Sequence, residues 1–333
     1  MSVNLKPVSE QVIVITGASS GIGLATAYAA AKRGSRVVLA SRNGPELERI
    51  VGSIRASGGT AMHVVADVSR REDLQRLADE AIKTFGGFDT WVNNAGLGIF
   101  GRLEEVSDED HQRLFQVNFW GLVYGTQIAS AHLKAKGGAI INLGSVASDL
   151  AFPIQGMYCA SKHAIKGFTD AFRMELEEAH APVSVTLIKP ASIDTPFPIH
   201  AKNYLDEEPT LPPPVYKPED VAGAILHAAE HGGREYYVGG GGKLLSSINK
   251  RIPTAIDWMA PTMATMQSSG APNRPRDGSL YAASVDGQVH GKPTSMVHGS
   301  LYTKAQMHPL STIALLTLAS VAAFAVSSSA KRT

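Results

Sequence analysis

Residues 11–23 read QVIVITGASSGIG. The first six form a short β-branched apolar run, the pattern of a parallel strand buried on both faces. Residues 22–32 then read as a helix closed by Gly34. Between them, residues 16–23 make a strand-to-helix turn whose glycines let the backbone approach a pyrophosphate at the positive helix N-terminus. Gly17, Ser19, Ser20, Gly21, Ile22 and Gly23 are the residues placed to meet such a group. Their spacing is G-x-x-x-G-x-G, not the more widespread G-x-G-x-x-G. The next strand-like run, 36–40 (RVVLA), completes a βαβ unit of roughly 30 residues.

The same alternation continues downstream. Further strand-like runs lie at 61–66, 88–93, 139–143, 183–188 and 235–238, and helical patterns lie at 46–57, 71–84, 108–134, 157–179 and 218–230. Seven strands separated by helices predict an α/β fold with a doubly wound parallel sheet and a ligand crevice at the carboxyl ends of its strands.

Tyr158 and Lys162 stand four residues apart in MYCASKHAIKGF, on one face of the 157–179 helix. A phenol titrates near ~10, and general acid–base work near neutrality asks for a fall of roughly 3 units, about 4 kcal/mol of preferential phenolate stabilisation. A neighbouring ammonium supplies it. Alone, Y-x-x-x-K is short enough to be two residues on a solvated helix face; beside a nucleotide-phosphate turn it points to an enzyme.

Taken together, the motifs resemble those of the single-domain short-chain dehydrogenase/reductase family, over about residues 8–245. The family's T-G-x-x-x-G-x-G is residues 16–23, its N-N-A-G is Asn93-Asn94-Ala95-Gly96, its helix asparagine is Asn118, its serine is Ser145, and its Y-x-x-x-K is Tyr158 and Lys162. The resemblance implies a Rossmann fold and hydride transfer with a nicotinamide cofactor. Tyr158 would be the general acid or base. Lys162 would lower its pKa and bond the nicotinamide ribose, Ser145 would bond the substrate oxygen, and Asn118 would order a water relay behind Lys162. It further implies adenine contacts from Asp67 and Val68, a pocket lined by Asn94, Ala95 and Gly96, and nicotinamide contacts from Pro190, Ile193 and Thr195. Where the family has Pro-Gly after the sixth strand, this chain has Pro190-Ala191.

Cofactor choice is read at the end of the second strand, where a carboxylate would hold the ribose 2′-hydroxyl of NAD and an Arg the 2′-phosphate of NADP. Ser41 and Arg42 stand there without an acid, which favours NADP (NADPH) over NAD. The expected pocket stretches 97–100 (LGIF), 149–152 (DLAF) and 197–199 (FPI) are mostly apolar. They suit a small apolar carbonyl/alcohol substrate, beneath a proline-rich lid at 195–218. A homodimer or homotetramer is implied by resemblance only.

Of 333 residues, 44% are apolar, enough for a sizeable core. The formal charge of +1 leaves no nucleic-acid footprint. Cys159 is the single cysteine, so no intrachain disulfide forms, and a reducing compartment is expected for a cytoplasmic catalytic domain. The divisions expected are an oxidoreductase domain at 1–245, an amphipathic segment and flexible low-complexity linker at 246–309, and a hydrophobic helix at 310–330. The histidines of the tail are too widely spaced to suggest a metal site. Residues 310–326 hold 17 residues without a charge, at the lower limit of the roughly 20 that span a membrane. That leaves a membrane contact open beside a helix docked on protein. A second functional class also stays open: an NADP(H)-binding sensor or membrane scaffold without turnover, disfavoured by the intact set of Asn118, Ser145, Tyr158 and Lys162.

Overall fold

The computed structural model describes residues 3–274, 278–283, 286–292, 295–308 and 312. Seven strands form its main sheet: β1 (Val12–Thr16), β2 (Arg36–Ser41), β3 (Thr60–Val65), β4 (Thr90–Asn93), β5 (Gly138–Leu143), β6 (Val183–Pro190) and β7 (Glu235–Val238). They pair in parallel in the order β7-β6-β5-β4-β1-β2-β3. The order reverses between β1 and β4, and the crevice opens at their carboxyl ends.

Strand periodicity explains the two layers. In β1, Ile13 and Ile15 face one apolar cluster and Val12 and Val14 the other. The first cluster takes helices Gly21–Lys32, Gly44–Ala56 and Pro218–His231; the second takes Arg71–Phe85 and Gly156–Glu178. The sequence reads 108–134 as one helix. Instead Asp108–Phe115 and Gly121–Lys136 are joined by a π turn, Gln116–Trp120, which holds Asn118. Such one-turn π segments are frequent at functional sites.

Beyond β7 the chain carries more structure than its composition suggests. Helices Gly240–Arg251 and Pro253–Thr265 follow directly. Ser268–Pro272 pairs with Glu207–Pro209, and Val297–His298 pairs with Val215–Tyr216, itself beside Ser192–Ile193. The segment 195–218, read as a lid, is therefore pinned by strand pairing. Helix Leu301–Met307 docks on β7, where Thr303 Oγ1 donates to Tyr237 O at 3.1 Å and Gln306 Nε2 to Glu235 O at 3.0 Å. These pieces are held largely by backbone and polar side-chain bonds, so apolar periodicity does not reveal them. Along the first of these helices and its C-cap, Leu245 and Ile248 pack inward whereas Leu244 and Ile252 are exposed. Apart from residue 312, the run 310–326 lies outside the described residues; among those described, no helix is long and apolar enough to cross a membrane.

One buried charge cluster fastens this extension. Asp149 and Lys189 have fully buried side chains 3.0 Å apart. Asp149 Oδ2 also accepts from Tyr237 Oη at 2.6 Å and Ser246 Oγ at 2.8 Å, while Oδ1 accepts from Lys166. Lys189 reaches Glu235 at 2.7 Å. Burial by itself would raise the Asp149 carboxyl, but the hydrogen bonds from Lys166, Tyr237 and Lys189 outweigh it and hold the group below the carboxylate range. Asp149→Asn leaves Lys189 without its innermost countercharge, a change of the class that costs about 3–5 kcal/mol. Urea denaturation is expected to show that loss at pH 7. The contribution is present above the unfolded-state pKa near ~3.9 and disappears as pH falls through the lower folded value, so the gap between wild type and variant narrows in strong acid.

Candidate active site

The phosphate turn is built on close backbone approach. At Gly17 (φ +64°) a Cβ would stand 2.8 Å from Ala95 Cα, and at Gly23 it would stand 2.2 Å from Gly17 O. Side chains at these two positions would force the turn away from the loop after β4. That loop is tied back to the turn: Thr16 Oγ1 accepts from Asn94 N at 3.0 Å and Ala95 N at 3.1 Å, and Asn94 Nδ2 donates to Thr16 O at 2.9 Å. Gly21 (φ +53°) faces across the cleft, where a Cβ would come 3.2 Å from Thr195 Cβ. This glycine-lined cradle at the start of a helix fits the pyrophosphate of a dinucleotide.

Most of the residues expected around a cofactor line one cleft. Gly17, Ser19, Ser20, Gly21 and Ile22 form its floor, Ser41 and Arg42 one end, and Asp67 and Val68 the neighbouring wall. Asn94, Ala95, Gly96 and Thr195 complete it. Gly23 packs behind the turn, Ile193 is buried in the core, and Pro190 offers its carbonyl to the Ser145 hydroxyl at 3.4 Å. Burial works to raise the Asp67 carboxyl, but Arg113 at 2.7 Å and Ser69 bond it, and the net direction is down.

At the inner end, helix Gly156–Glu178 presents Tyr158 and Lys162 on one face. Lys162 Nζ donates to Leu143 O at 2.8 Å and lies 5.6 Å from the centre of the Tyr158 ring. Asn118 binds both backbone groups of Leu97: Oδ1 accepts from its N–H at 2.8 Å and Nδ2 donates to its carbonyl at 2.9 Å. A Cβ on Gly96 would stand 3.5 Å from Asn118 Oδ1 and 3.8 Å from Lys162 Nζ, so this glycine joins the cleft to the inner cluster. Burial pushes the Tyr158 phenol up to about 12, with the Ser145 hydroxyl bond pulling the other way. Burial likewise brings Lys162 down to about 8. In this geometry desolvation, rather than the lysine charge foreseen from i, i+4 spacing, dominates the phenol, which is protonated at neutral pH.

Around the phenol the surface is apolar. The Phe197 ring lies 5.5 Å from Tyr158 and 6.4 Å from Phe100, with Leu97 beside them on the cleft wall. Asp149, grouped by sequence with this pocket, turns instead into the buried charge cluster. Cys159 is buried, and burial raises its thiol to about 11, as befits a core filler. Ala191 has a packing consequence: Cβ atoms on Gly239 or Gly242 would each come 2.9 Å from its methyl, and on Gly242 also 2.4 Å from Val146 Cγ2. The glycine run thus lets the following helix sit against the Ser145 loop. Sequence reasoning misses Arg113, whose partner lies 46 residues away, and Ser279, Ala283 and Asp286, which line the cleft from a stretch without apolar periodicity.

Comparison with known proteins agrees with this geometry. The family profile described as short chain dehydrogenase matches residues 11–204. The chain is similar to an uncharacterized oxidoreductase, YxnA, of Bacillus subtilis (strain 168), 45% identical over 320 residues that cover 94% of this chain and 89% of that one. Among solved structures it is similar to an alcohol dehydrogenase of the archaeon Thermococcus sibiricus complexed with 5-hydroxy-NADP: TM-score 0.60, 30% identity, covering 68% of this chain and 95% of that one. It is also similar to a short chain dehydrogenase/reductase of Burkholderia phymatum in complex with NAD, with TM-score 0.66, 27% identity, and coverage of 82% and 99%.

The cradle yields a direct test. Gly23→Ala sets a methyl against Gly17 O and parts the turn from the helix start, so dinucleotide binding followed by nicotinamide fluorescence is expected to fall at least tenfold, on the order of 1.4 kcal/mol or more. The circular dichroism spectrum is expected to stay that of the native sheet.

Proposed function

The chain belongs to the short-chain dehydrogenase family of oxidoreductases acting on CH–OH and C=O groups, and we propose that it moves a hydride between NADP(H) and an apolar ketone/alcohol pair, with Tyr158 handling the proton. What supports this most is that Tyr158, Ser145, Lys162 and Asn118 gather where the dinucleotide cleft meets an apolar pocket, with Gly96 at the junction. The nicotinamide ring, when bound, supplies or accepts the hydride.

The protein's own groups do the rest. Tyr158, protonated near neutrality, gives its proton to a carbonyl oxygen as the hydride reaches the carbon; in the opposite sense its phenolate takes the proton of the alcohol. Ser145 bonds the same oxygen and stabilises the charge that develops there. Lys162, buried and bonded to Leu143 O, places an ammonium beside the cleft. Asn118 holds Leu97 by both backbone groups and so keeps Gly96 at the junction. Phe197 and Leu97 make the substrate side apolar, with Phe100 buried behind Phe197, which favours an extended hydrophobic or aromatic carbonyl over a sugar or a phosphorylated metabolite. Arg42, with no acid at Ala40 or Ser41, supports NADP(H) over NAD(H).

Tyr158→Phe removes the ionisable hydroxyl alone, so turnover of a ketone panel is expected to fall at least ~10²-fold with NADPH affinity nearly unchanged. Retained turnover would sink the assignment. Because burial holds the phenol high, alcohol oxidation by the wild type is expected to climb with pH across the neutral and alkaline range, since only the phenolate accepts the proton. For the cofactor, Arg42→Ala is expected to lower the ratio of NADPH to NADH affinity by roughly 1.5–3 kcal/mol, the scale of a hydrogen bond to a charged group. Fluorescence titration with both cofactors measures it, and an unchanged ratio would mean that Arg42 does not read the phosphate.

A further inference from the structure

The cofactor cleft is crossed by a piece of the chain's own C-terminal extension, described at 278–283 and 286–292. Its contacts follow the cleft from end to end. Leu280, fully buried in the second core cluster, anchors it, and Tyr281 Oη donates to Asp110 Oδ1 at 2.7 Å. The Arg42 guanidinium donates to the carbonyls of Ser279, of Ala282 at 3.2 Å and of Leu280 at 3.5 Å. Asp286 Oδ2 accepts from Asn43 Nδ2 at 3.1 Å. At the glycine turn, Gly21 N donates to Gln288 O at 2.9 Å and Gly287 N to Ser19 O at 2.8 Å. Beyond it, His290 and Gly291 N both bond Asp194, at 2.8 and 2.9 Å.

Four of these contacts use two donor groups that an anionic dinucleotide needs. The Gln288 carbonyl sits on an amide at the helix N-terminus where a pyrophosphate oxygen would bind, and three carbonyls sit on the arginine that would meet a 2′-phosphate. Asp286 adds a negative charge in the same corner. We propose that this strap competes with the dinucleotide for the Gly21 amide and for Arg42, so that it must be displaced on binding, and that it thereby sets the selectivity between the two nicotinamide cofactors. The proposal rests on the dinucleotide reading of the cleft. Its selectivity follows from charge: a 2′-phosphate must take Arg42 from the strap, whereas a ribose hydroxyl has no such need. A docked strap therefore handicaps NADPH more than NADH.

The test uses the full chain. Leu280→Asp removes the apolar anchor, and the double variant Tyr281→Phe with His290→Ala loosens the strap without touching the core. NADPH and NADH are titrated by fluorescence, and exchange of the Gly287 and Gly291 amides is followed by hydrogen–deuterium mass spectrometry with and without cofactor. Competition predicts that NADPH speeds exchange at both amides in the wild type, that Leu280→Asp binds NADPH about tenfold tighter, and that NADH gains less. The double variant moves the same way by a smaller factor and decides the matter if Leu280→Asp does not fold. Slower exchange on binding, or weaker or unchanged NADPH affinity in the variants, overturns the competition, the strap then being a fixed wall of the site. Equal gains for the two cofactors overturn the selectivity. Failure of every folded form to bind either dinucleotide overturns the cofactor reading itself.

Discussion

The site depends on one constraint: β1 and β4 must end side by side with their following loops in backbone contact. Thr16 makes that possible with a single hydroxyl that accepts two amides of the Asn94 loop while donating to Val92 O at 3.2 Å. Once the two loops are joined, no room remains for a Cβ at Gly17 or Gly23, and the helix starting at Gly21 is aimed at the cleft. The position of Gly96, and through it the distance to Lys162 and Asn118, follows from the same clamp. A local requirement for glycine is thus the consequence of topology: strand order reverses here, so the chain segments beyond the joined loops diverge and leave a crevice between them.

Within the inner cluster, desolvation and charge act against each other. Lys162 is buried and Tyr158 partly so, and loss of water around them penalises the charged form of each, raising the phenol and lowering the ammonium. The protonated phenol is the form suited to donate to a carbonyl. The Asp149 cluster, a few residues beyond Ser145, solves the opposite problem by surrounding one carboxylate with enough donors to keep it ionised in a dry interior.

Much of this was legible from local pattern. The sheet could be read because β1, β4 and β5 are buried on both faces, so that their cores (12–15, 91–92 and 139–141) are continuous apolar stretches rather than alternating ones. The cleft could be read because a phosphate turn needs glycines at fixed spacing, and the acid–base pair because one helical turn separates its members. What escaped was chemistry assembled across the chain. Arg113 with Asp67, Arg42 with Ser279 and Asp149 with Tyr237 are separated by 46, 237 and 88 residues, and no periodicity marks such partners. The π turn at Asn118 adds one residue to a helix without altering its composition. Leu280 is the one Val, Ile, Leu or Met between 267 and 284, so its burial is invisible to any pattern of apolar spacing.

The Asp149 cluster also has a bearing on synthesis. Its carboxylate is held by residues 88 and 97 positions downstream, and Asn249 Nδ2 donates to the Asp149 backbone carbonyl across 100 positions. While the ribosome has delivered only the glycine turn and the Tyr158 helix, the loop after Ser145 lacks every one of those partners. The residues of the glycine turn and of the Asn94 loop lie within the first hundred positions, whereas the proton-transfer loop gains its final supports only after Asn249 emerges. The loop after Ser145 therefore takes its final form only once those later residues have been made.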